Sequence, residues 1–320
     1  MMTLQTQYGA LTGVALANYY DDGTLKDCVL GERNVLTLPC GALVPQYGEE
    51  HVRRKNSKSL SFFRSGALKA ALLEEQQGLS TPMGEFPAEL VTFYETGEMR
   101  RVFPLNGKLS GYWSEQDESQ LAFPFQFEFS FGTFAAKIVG LHFYQSGALK
   151  SLTLFPGEVV TLATPIGDIA VKTGFSLYES GALRSVEPAQ PVVVMTDIGP
   201  LAAYDCNALG IHADSNSLCF YEQGGLYRLT SSSDRIAAIS ENGKMTLFAP
   251  LHSTNLPDEE APEVIPLTLT FEEDKITIAD DTPHVFDPKT ARLNSLPYLR
   301  EDGMSCSPSD CASCGGTCGM

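Results

Sequence analysis

A short phrase that the chain repeats six times constrains its fold more than any other feature. Each copy has two apolar or aromatic residues, two spacers, a glycine, any residue, Leu or Met, and usually a basic residue. Self-similarity of this kind is typical of repeat architectures, and it favours a binding surface over an enzyme as the function. The copies are Tyr19–Lys26, Phe62–Lys69, Phe93–Arg100, Phe143–Lys150, Leu177–Arg184 and Phe220–Leu226.

The glycine of each phrase predicts the turn of a β-hairpin. Glycine reaches positive φ angles at little cost, and Asp, Ser or Thr before it favours a turn. The aromatic residue before the turn then lies near the leucine after it, and such pairs stabilise a sheet by about 0.2–1 kcal/mol each. The predicted turn glycines are Gly23, Gly66, Gly97, Gly147, Gly181 and Gly224.

A looser signal before each copy predicts a second turn, most clearly at Thr81–Glu85 and Thr164–Asp168. Roughly eight to ten residues with β-branched and aromatic content follow it, which predicts one strand between two turns. Long helices are disfavoured because Gly, Pro and Thr recur and the apolar residues do not return every 3.6 positions. Even residues 67–77, the best helical candidate, are predicted to form a strand.

The repeated phrase resembles the MORN-like repeats of YwqK-type antitoxin proteins, in which an aromatic pair, an Asn/Ser/Asp-Gly turn and Leu-Lys follow one another. Tyr19–Lys26, Phe143–Lys150 and Leu177–Arg184 match best, and the resemblance extends in patches over residues 1–250. The copies here are irregularly spaced, and the second glycine of MORN units is mostly absent. The resemblance implies an elongated antiparallel sheet of stacked hairpins and a role in protein binding.

The last third of the chain sets the predicted domain boundaries. Residues 255–266 are acidic and contain proline, which predicts a linker after a hairpin-repeat domain of six irregular units in residues 1–254. Alternating residues within 267–300 predict a closing hairpin that caps the last strand. Residues 301–320 are predicted to be a flexible cysteine-rich tail. The predicted fold class is therefore all-β, with an elongated antiparallel repeat sheet.

The net charge of −17 indicates which partners the protein surface would repel. An acidic surface repels nucleic acid and anionic membranes, whereas it would suit a basic protein partner. No apolar run approaches the roughly 20 residues of a membrane span. Residues 1–10 contain no Lys or Arg of the kind that begins a secretory signal. We therefore expect a cytoplasmic protein with no nucleic acid partner and no membrane insertion.

Four of the eight cysteines lie close to Met320 in a C-x4-C-x2-C-x3-C pattern. The Ser, Gly, Pro and Asp residues around them cannot build a core, so packing does not explain these thiols. Three interpretations stay open: a four-thiolate zinc site, an iron–sulfur cluster, or a flexible thiol tail that is modified, oxidised or passed metal. A disordered tail with no bound metal is the plain alternative to all three. The candidate ligands are Cys306, Cys311, Cys314 and Cys318.

The histidines do not form a catalytic or metal-binding array. His142 abuts an aromatic pair and is predicted to lie on a strand face. His212 and Asp214 give an H-x-D pattern, which is a weak metal signal, and we predict a loop pair between strands. The sequence contains no nucleophile elbow, P-loop or dinucleotide fingerprint, so we predict that the protein is not an enzyme. The scattered cysteines are predicted to be buried in the core: Cys28, Cys40, Cys206 and Cys219.

The second residue of each aromatic pair is the candidate for a binding face. Alternation along a strand sends one member of each pair to each face of the sheet, so we expect one to be buried and the other partly exposed. The candidates are Tyr20, Phe63, Tyr94, Tyr144, Tyr178 and Tyr221.

These observations predict a non-enzymatic scaffold for protein–protein binding, of which an antitoxin or immunity protein is one special case. A metal or redox protein that acts through the cysteine-rich tail is the first alternative. The second is a ligand-binding module of the choline- or cell-wall-binding type, which the Tyr-Tyr-x-x-Gly phrase resembles, although those modules are rich in Trp and this chain has one.

Overall fold

The structure is a computed structural model that describes residues 2–54, 57–208, 212–253 and 263–296. The predicted cysteine-rich tail and most of the predicted linker lie outside the described residues. The first fourteen strands are β1 (Met2–Thr6), β2 (Gly9–Tyr19), β3 (Leu25–Leu30), β4 (Leu36–Leu38), β5 (Gly41–Leu43), β6 (Leu60–Phe62), β7 (Leu68–Thr81), β8 (Gly84–Phe93), β9 (Met99–Phe103), β10 (Phe125–Phe129), β11 (Gly132–Ala136), β12 (Ile138–Phe143), β13 (Leu149–Leu154) and β14 (Val160–Thr164). The others are β15 (Gly167–Leu177), β16 (Leu183–Pro188), β17 (Val192–Thr196), β18 (Gly199–Ala203), β19 (Leu218–Phe220), β20 (Leu226–Ser231), β21 (Arg235–Ile239), β22 (Met245–Phe248), β23 (Leu251–Ser253), β24 (Glu263–Ile265), β25 (Leu267–Phe271), β26 (Ile276–Ala279), β27 (Pro283–Phe286) and β28 (Arg292–Leu296).

Seventeen of these strands form one antiparallel sheet, and the strand order in space follows the order in the chain. The expected all-β repeat sheet is therefore confirmed. Eight of the remaining strands form four two-stranded hairpins in the segments that connect strands of the large sheet: β4–β5, β10–β11, β17–β18 and β23–β24. The other three, β22, β21 and β28, form a three-stranded sheet. The sheet consists of β1, β2, β3, β6, β7, β8, β9, β12, β13, β15, β16, β19, β20, β25, β26 and β27 in succession, with β14 beside the first half of β15.

All six repeated phrases form hairpin turns of one geometry. In the fourth copy Tyr144 N donates to Ala148 O at 2.8 Å, and Gly147 N donates to Tyr144 O at 3.0 Å. The other five copies make the same two bonds. The six turn glycines have φ angles between 83° and 104°, a region that disfavours residues with a Cβ. This backbone requirement explains why the glycine recurs in every copy.

The second turns also form, and several share a threonine cap. In the connection before β15, Thr164 Oγ1 donates to Gly167 O at 2.7 Å, and Thr81 makes the same bond to Gly84 at 2.8 Å. The strand between two turns is continuous in β2, β8 and β15, as expected. In the fourth copy it is interrupted at Lys137, between β11 and β12. Residues 68–81 form the strand β7, so the prediction of a strand over 67–77 is confirmed.

One continuous apolar core covers one face of the sheet, which we call the core face. The first residue of each aromatic pair points into it in five of the six copies, including Phe143 at 0% exposure, whereas Tyr19 is 49% exposed. The short hairpins pack on this face. Phe129 and Phe131 of the β10–β11 hairpin, for example, contact the ring of Phe175 in β15 at 5.4 and 5.3 Å. The opposite face is called the outer face below.

One helix, α1 (Glu115–Leu121), was not expected from the sequence. Ser114 caps it: its hydroxyl accepts from Asp117 N at 3.1 Å, and the Asp117 carboxylate accepts from Ser114 N at 2.8 Å. This reciprocal capping box is a local sequence signal that would have predicted the helix start. Among the described residues, no helix has the length and apolar character needed to cross a membrane.

Candidate functional site on the outer face

A β-bulge after every repeated turn directs two neighbouring side chains to the outer face. In the fourth copy Phe143 pairs with Leu149 and His142 pairs with Ser151, so Lys150 is an extra residue without a partner. The same register shift occurs in the other five hairpins. A bulge sets two residues against one on the facing strand. The basic residue of each phrase is therefore the inserted residue, and it lies beside the first residue of the regular ladder.

The bulged residues stack on the second aromatic residue of their own phrase. Lys150 lies 5.5 Å from the centre of the Tyr144 ring, and Arg184 lies 5.7 Å from that of Tyr178. Each basic residue of the repeated phrase thus makes a cation–π contact. We call the resulting row the aromatic–cation ladder. It consists of Tyr20 with Lys26 and Arg64, Phe63 with Lys69, Tyr94 with Arg100, Tyr144 with Lys150, Tyr178 with Arg184, and Tyr221 with Tyr227.

The ladder tyrosines also connect successive hairpins. Tyr144 Oη donates to Leu177 O of the next hairpin at 2.8 Å, and the other ladder tyrosines do the same at 2.8–2.9 Å. All six candidate aromatics are half-buried, so alternation between the faces is as expected. Cations cover five of the rings, Tyr227 packs against the sixth, that of Tyr221, and the tyrosine hydroxyls are all occupied. Phe63 holds the same position without a hydroxyl.

We expect Tyr144→Phe to lower the free energy of unfolding by about 1 kcal/mol, because the Leu177 carbonyl loses its side-chain donor. Phe63→Tyr is the converse change, since it offers a hydroxyl to the hairpin that follows. It should raise the free energy of unfolding by up to about 1 kcal/mol. Urea unfolding of both variants measures these shifts. Equal stability of all three proteins would show that the hydroxyl bonds contribute nothing.

A second row of residues, which we call the polar row, lies beside the ladder and crosses fifteen strands of the sheet. Each of its members pairs directly with the next, and directly paired residues of an antiparallel sheet project from the same face. Several of these residues are polar and buried, although they lie opposite the core. At about 4.8 Å per strand, the row extends over roughly 65 Å. Its members are Asn18, Asp27, Ser61, Ala70, Thr92, Arg101, His142, Ser151, Ser176, Ser185, Cys219, Arg228, Thr270, Thr277 and Val285.

Residues 212–217, in the connection between β18 and β19, cover the middle of this row. Asp214 is their anchor: its carboxylate accepts from Ser151 Oγ at 2.5 Å, bonds to His142 Nδ1 at 2.9 Å, and forms an ion pair with Arg101. These partners come from β13, β12 and β9, so one carboxylate joins three strands. His142 lies on a strand face, as predicted. Asp214 contacts His142 rather than its neighbour in the sequence, His212.

The rest of residues 212–217 is bound just as closely. Asn216 Nδ2 donates to Ser185 Oγ at 2.7 Å, while Ser217 donates its N–H and its hydroxyl to Glu187 at 2.8 and 2.5 Å. Glu187 is 2% exposed, and burial raises the pKa of its carboxyl group. Ala213 N donates to Thr153 Oγ1 at 3.1 Å. Side-chain oxygens of the sheet thus take over the hydrogen bonds that water would otherwise make with these residues.

The Asp214–His142 pair should make stability depend on pH. Burial lowers the pKa of His142 below its ordinary 6.5, and Asp214 only partly offsets this. The unfolded chain therefore takes up a proton that the folded protein resists, and stability falls as the pH falls below 6.5. Burial alone would raise the pKa of Asp214, but hydrogen bonds from His142 and Ser151 outweigh burial and lower it. The ionised carboxylate therefore stabilises the folded protein above pH 3.8, its ordinary pKa, and this stabilisation is lost as the pH falls below that value.

We expect His142→Gln to lose less stability than the wild type when the pH is lowered from about 8 to about 5.5. The difference in slope between the two proteins is the measured quantity, because the raised pKa of Glu187 acts in the opposite direction in both. Urea unfolding at several pH values provides it. Parallel profiles for the two proteins would contradict the assignment to His142.

The predicted cysteine sites have separate outcomes. Cys306, Cys311, Cys314 and Cys318 lie outside the described residues. Among the residues that are described, no group of three or more His, Cys, Asp or Glu side chains is arranged to hold a metal ion. Cys28 is buried in the core as predicted, but Cys206 is exposed and Cys40 half-buried because both lie in turns or loops rather than in the interior of a strand. Cys219 is buried on the outer face, in the polar row.

Comparisons with protein-family models, with curated proteins and with solved structures give no match.

Proposed function

We propose that this protein is a non-enzymatic repeat scaffold that binds another protein through the outer face of its sheet. The observation that carries the proposal is the aromatic–cation ladder, which presents a cation–ring contact on each of the first five hairpins. Six cations stack on ladder rings, although the chain as a whole has a net charge of −17. Such a row suits an extended partner whose contacts recur at the same interval.

The ladder also indicates the charge of the partner segment that would bind to it. Net charge alone favours a basic partner, but the cations of the ladder favour an acidic segment lying along it. Antitoxin or immunity activity stays a special case of the proposal. It adds the expectation that the partner is toxic and that co-expression of this scaffold restores growth.

The polar network supports a binding role over a hydrolytic one. A nucleophilic serine needs its proton accepted by a histidine that a carboxylate orients. Here the Ser151 hydroxyl donates to Asp214 itself, and His142 bonds to the same carboxylate. Ser151 and His142 thus share the Asp214 carboxylate as their acceptor, and the serine hydroxyl is not hydrogen-bonded to the histidine as a nucleophilic serine would be.

Affinity capture with matched variants tests the proposal. The ladder variant carries Lys69→Glu, Arg100→Glu and Lys150→Glu. The control carries Lys108→Glu, Lys244→Glu and Lys289→Glu, which change the net charge equally at exposed positions outside the ladder. We expect the wild type and the control to recover the same stoichiometric protein from a native lysate, and the ladder variant to lose it.

Recovery of that protein by the ladder variant would refute the proposed surface, and the absence of any stoichiometric protein would refute the scaffold itself. Added salt should weaken the interaction, since exposed charge pairs are screened. Circular dichroism of the three proteins confirms that each is folded.

A further inference from the structure

The sixth hairpin departs from the pattern of the ladder and the row. Its bulged residue is Tyr227 instead of a base, and the ring stacks edge-on against Tyr221 at 5.0 Å. The next residue, Arg228, occupies the polar row, where the two preceding hairpins have Ser151 and Ser185. A long cation therefore lies in a part of the row that otherwise holds small side chains.

A cleft of about 440 Å³ lies beside this hairpin. Tyr178, Tyr221 and Tyr227 line it, together with Arg184 and Arg228. Its floor is formed by small buried groups such as Cys219. Volumes of this size are typical of sites for small organic ligands.

The two guanidinium groups have no carboxylate partner among the described residues. Arg184 is held by its cation–π contact with Tyr178. Arg228 donates to Ser215 Oγ at a long 3.4 Å and to Cys219 Sγ, a weak acceptor, at 3.4 Å, and its Nε is buried without a hydrogen-bond partner. Asp214 also lines the cleft, but its carboxylate is engaged by Arg101, His142 and Ser151. Two cations without a carboxylate partner thus line one cleft.

We propose that this cleft binds a small organic anion whose carboxylate or phosphate contacts Arg184 and Arg228 and whose planar ring lies among the tyrosines. Guanidinium groups bind both oxyanions through paired, charge-assisted hydrogen bonds. Aromatic walls favour a flat apolar body over an extended aliphatic one. The ligand supplies the counter-charge that the described residues do not provide to Arg184 and Arg228.

Titration calorimetry with four probes tests the proposal on the full chain: phenyl phosphate, benzoate, inorganic phosphate and phenol. We expect saturable binding of phenyl phosphate or benzoate, and weaker binding of inorganic phosphate and phenol, which each lack one half of the ligand. Whichever of the two ring-bearing anions binds better identifies the oxyanion. Saturable binding of neither, or equal affinity for phenol or inorganic phosphate, would overturn the proposal.

Variants locate the site. Arg228→Met and Arg184→Met should each weaken binding by about tenfold to a hundredfold, because each removes charge-assisted hydrogen bonds. Arg184 is exposed, so its replacement leaves the fold intact even if Arg228→Met is unstable. Arg100→Met is the matched control, since Arg100 stacks on Tyr94 in the same way outside the cleft. Unchanged affinity in Arg184→Met would place the anion elsewhere. Arg184 is absent from the set of charge reversals that tests partner binding, so the two proposals can fail independently.

Discussion

Replacing Arg53 by methionine is expected to lower the free energy of unfolding by about 3–5 kcal/mol. Its guanidinium group contacts both oxygens of Glu89 at 2.7 and 2.9 Å and both oxygens of Glu118 at 2.7 Å. All three side chains are at most 10% exposed. Removing the cation that is hydrogen-bonded to both leaves two carboxylates buried close together without an ion-pair partner, which explains the size of the effect.

Arg53 stabilises more than one ion pair, because its partners connect distant parts of the chain. Glu118 belongs to helix α1 and also accepts from Trp113 Nε1 and Gly107 N, at 2.7 and 2.8 Å. Burial opposes the charge on Arg53, but hydrogen bonds to Glu118 and Glu89 outweigh it and raise the Arg53 pKa. The guanidinium group of Arg53 therefore ties helix α1, in the long connection between β9 and β12, to strand β8 of the sheet.

Trp113, the single tryptophan of the chain, makes the test direct. Its fluorescence reports on the residues around Glu118 during urea unfolding, and circular dichroism reports on the sheet. The control is Arg64→Met, which removes an exposed pair with Asp22 at 3.2 Å and should cost less than about 1 kcal/mol. Adding Glu89→Gln and Glu118→Gln to Arg53→Met should recover part of the loss, since the unpaired charges disappear. Equal losses for Arg53→Met and Arg64→Met would contradict the analysis.

The hairpins could be predicted from the sequence because their determinants are local. A turn at Gly147 needs a residue that tolerates positive φ, and Phe143 and Tyr144 divide between the two faces because strands alternate. Both signals lie within eight residues and recur in six copies. The helix α1 occurs once, so the repeat gave no support for it, although its capping box was visible at Ser114.

The polar row could have been found from the same repeats. Twelve of its fifteen members lie five residues before or four residues after a turn glycine, as His142 and Ser151 do around Gly147. Superposing the six phrases on their glycines therefore predicts which side chains share the outer face. Cys219 illustrates this: its position five residues before Gly224 places it in the row rather than in the core.

The contacts that complete the candidate site could not be predicted in this way. Asp214 meets Arg101 across 113 positions of sequence, and Arg53 meets Glu118 across 65. Long connections carry these residues onto the sheet, and the local sequence of a connection does not encode where it docks. The H-x-D pattern at His212 identified a notable carboxylate but assigned it the wrong histidine.

Gly174→Ala is expected to destabilise the protein by about 3–5 kcal/mol, the sum of backbone strain and overpacking. Gly174 has a φ of 133°, and Thr173 before it has a φ of 60°. These two residues form the bulge at which β15 leaves its pairing with β14 and joins β13 in the main sheet. A Cβ at position 174 would lie 2.0 Å from Leu152 O and 2.8 Å from Ala213 Cβ. Backbone on one side and the anchored residues 212–217 on the other leave no room for it.

Gly167 provides the matched control within the same strand. Its φ of 112° is comparably unfavourable for alanine, but a Cβ there would meet nothing within 4 Å. Gly167→Ala should therefore cost only the backbone strain, about 1–3 kcal/mol. The difference between the two variants in urea unfolding measures the close packing of Ala213 and the sheet against Gly174. The variants should also differ in function, because only Gly174→Ala displaces the residues next to Asp214, and with them one wall of the cleft at Arg228. Equal stabilities would show that residues 212–217 can shift without cost and are not fixed on the outer face.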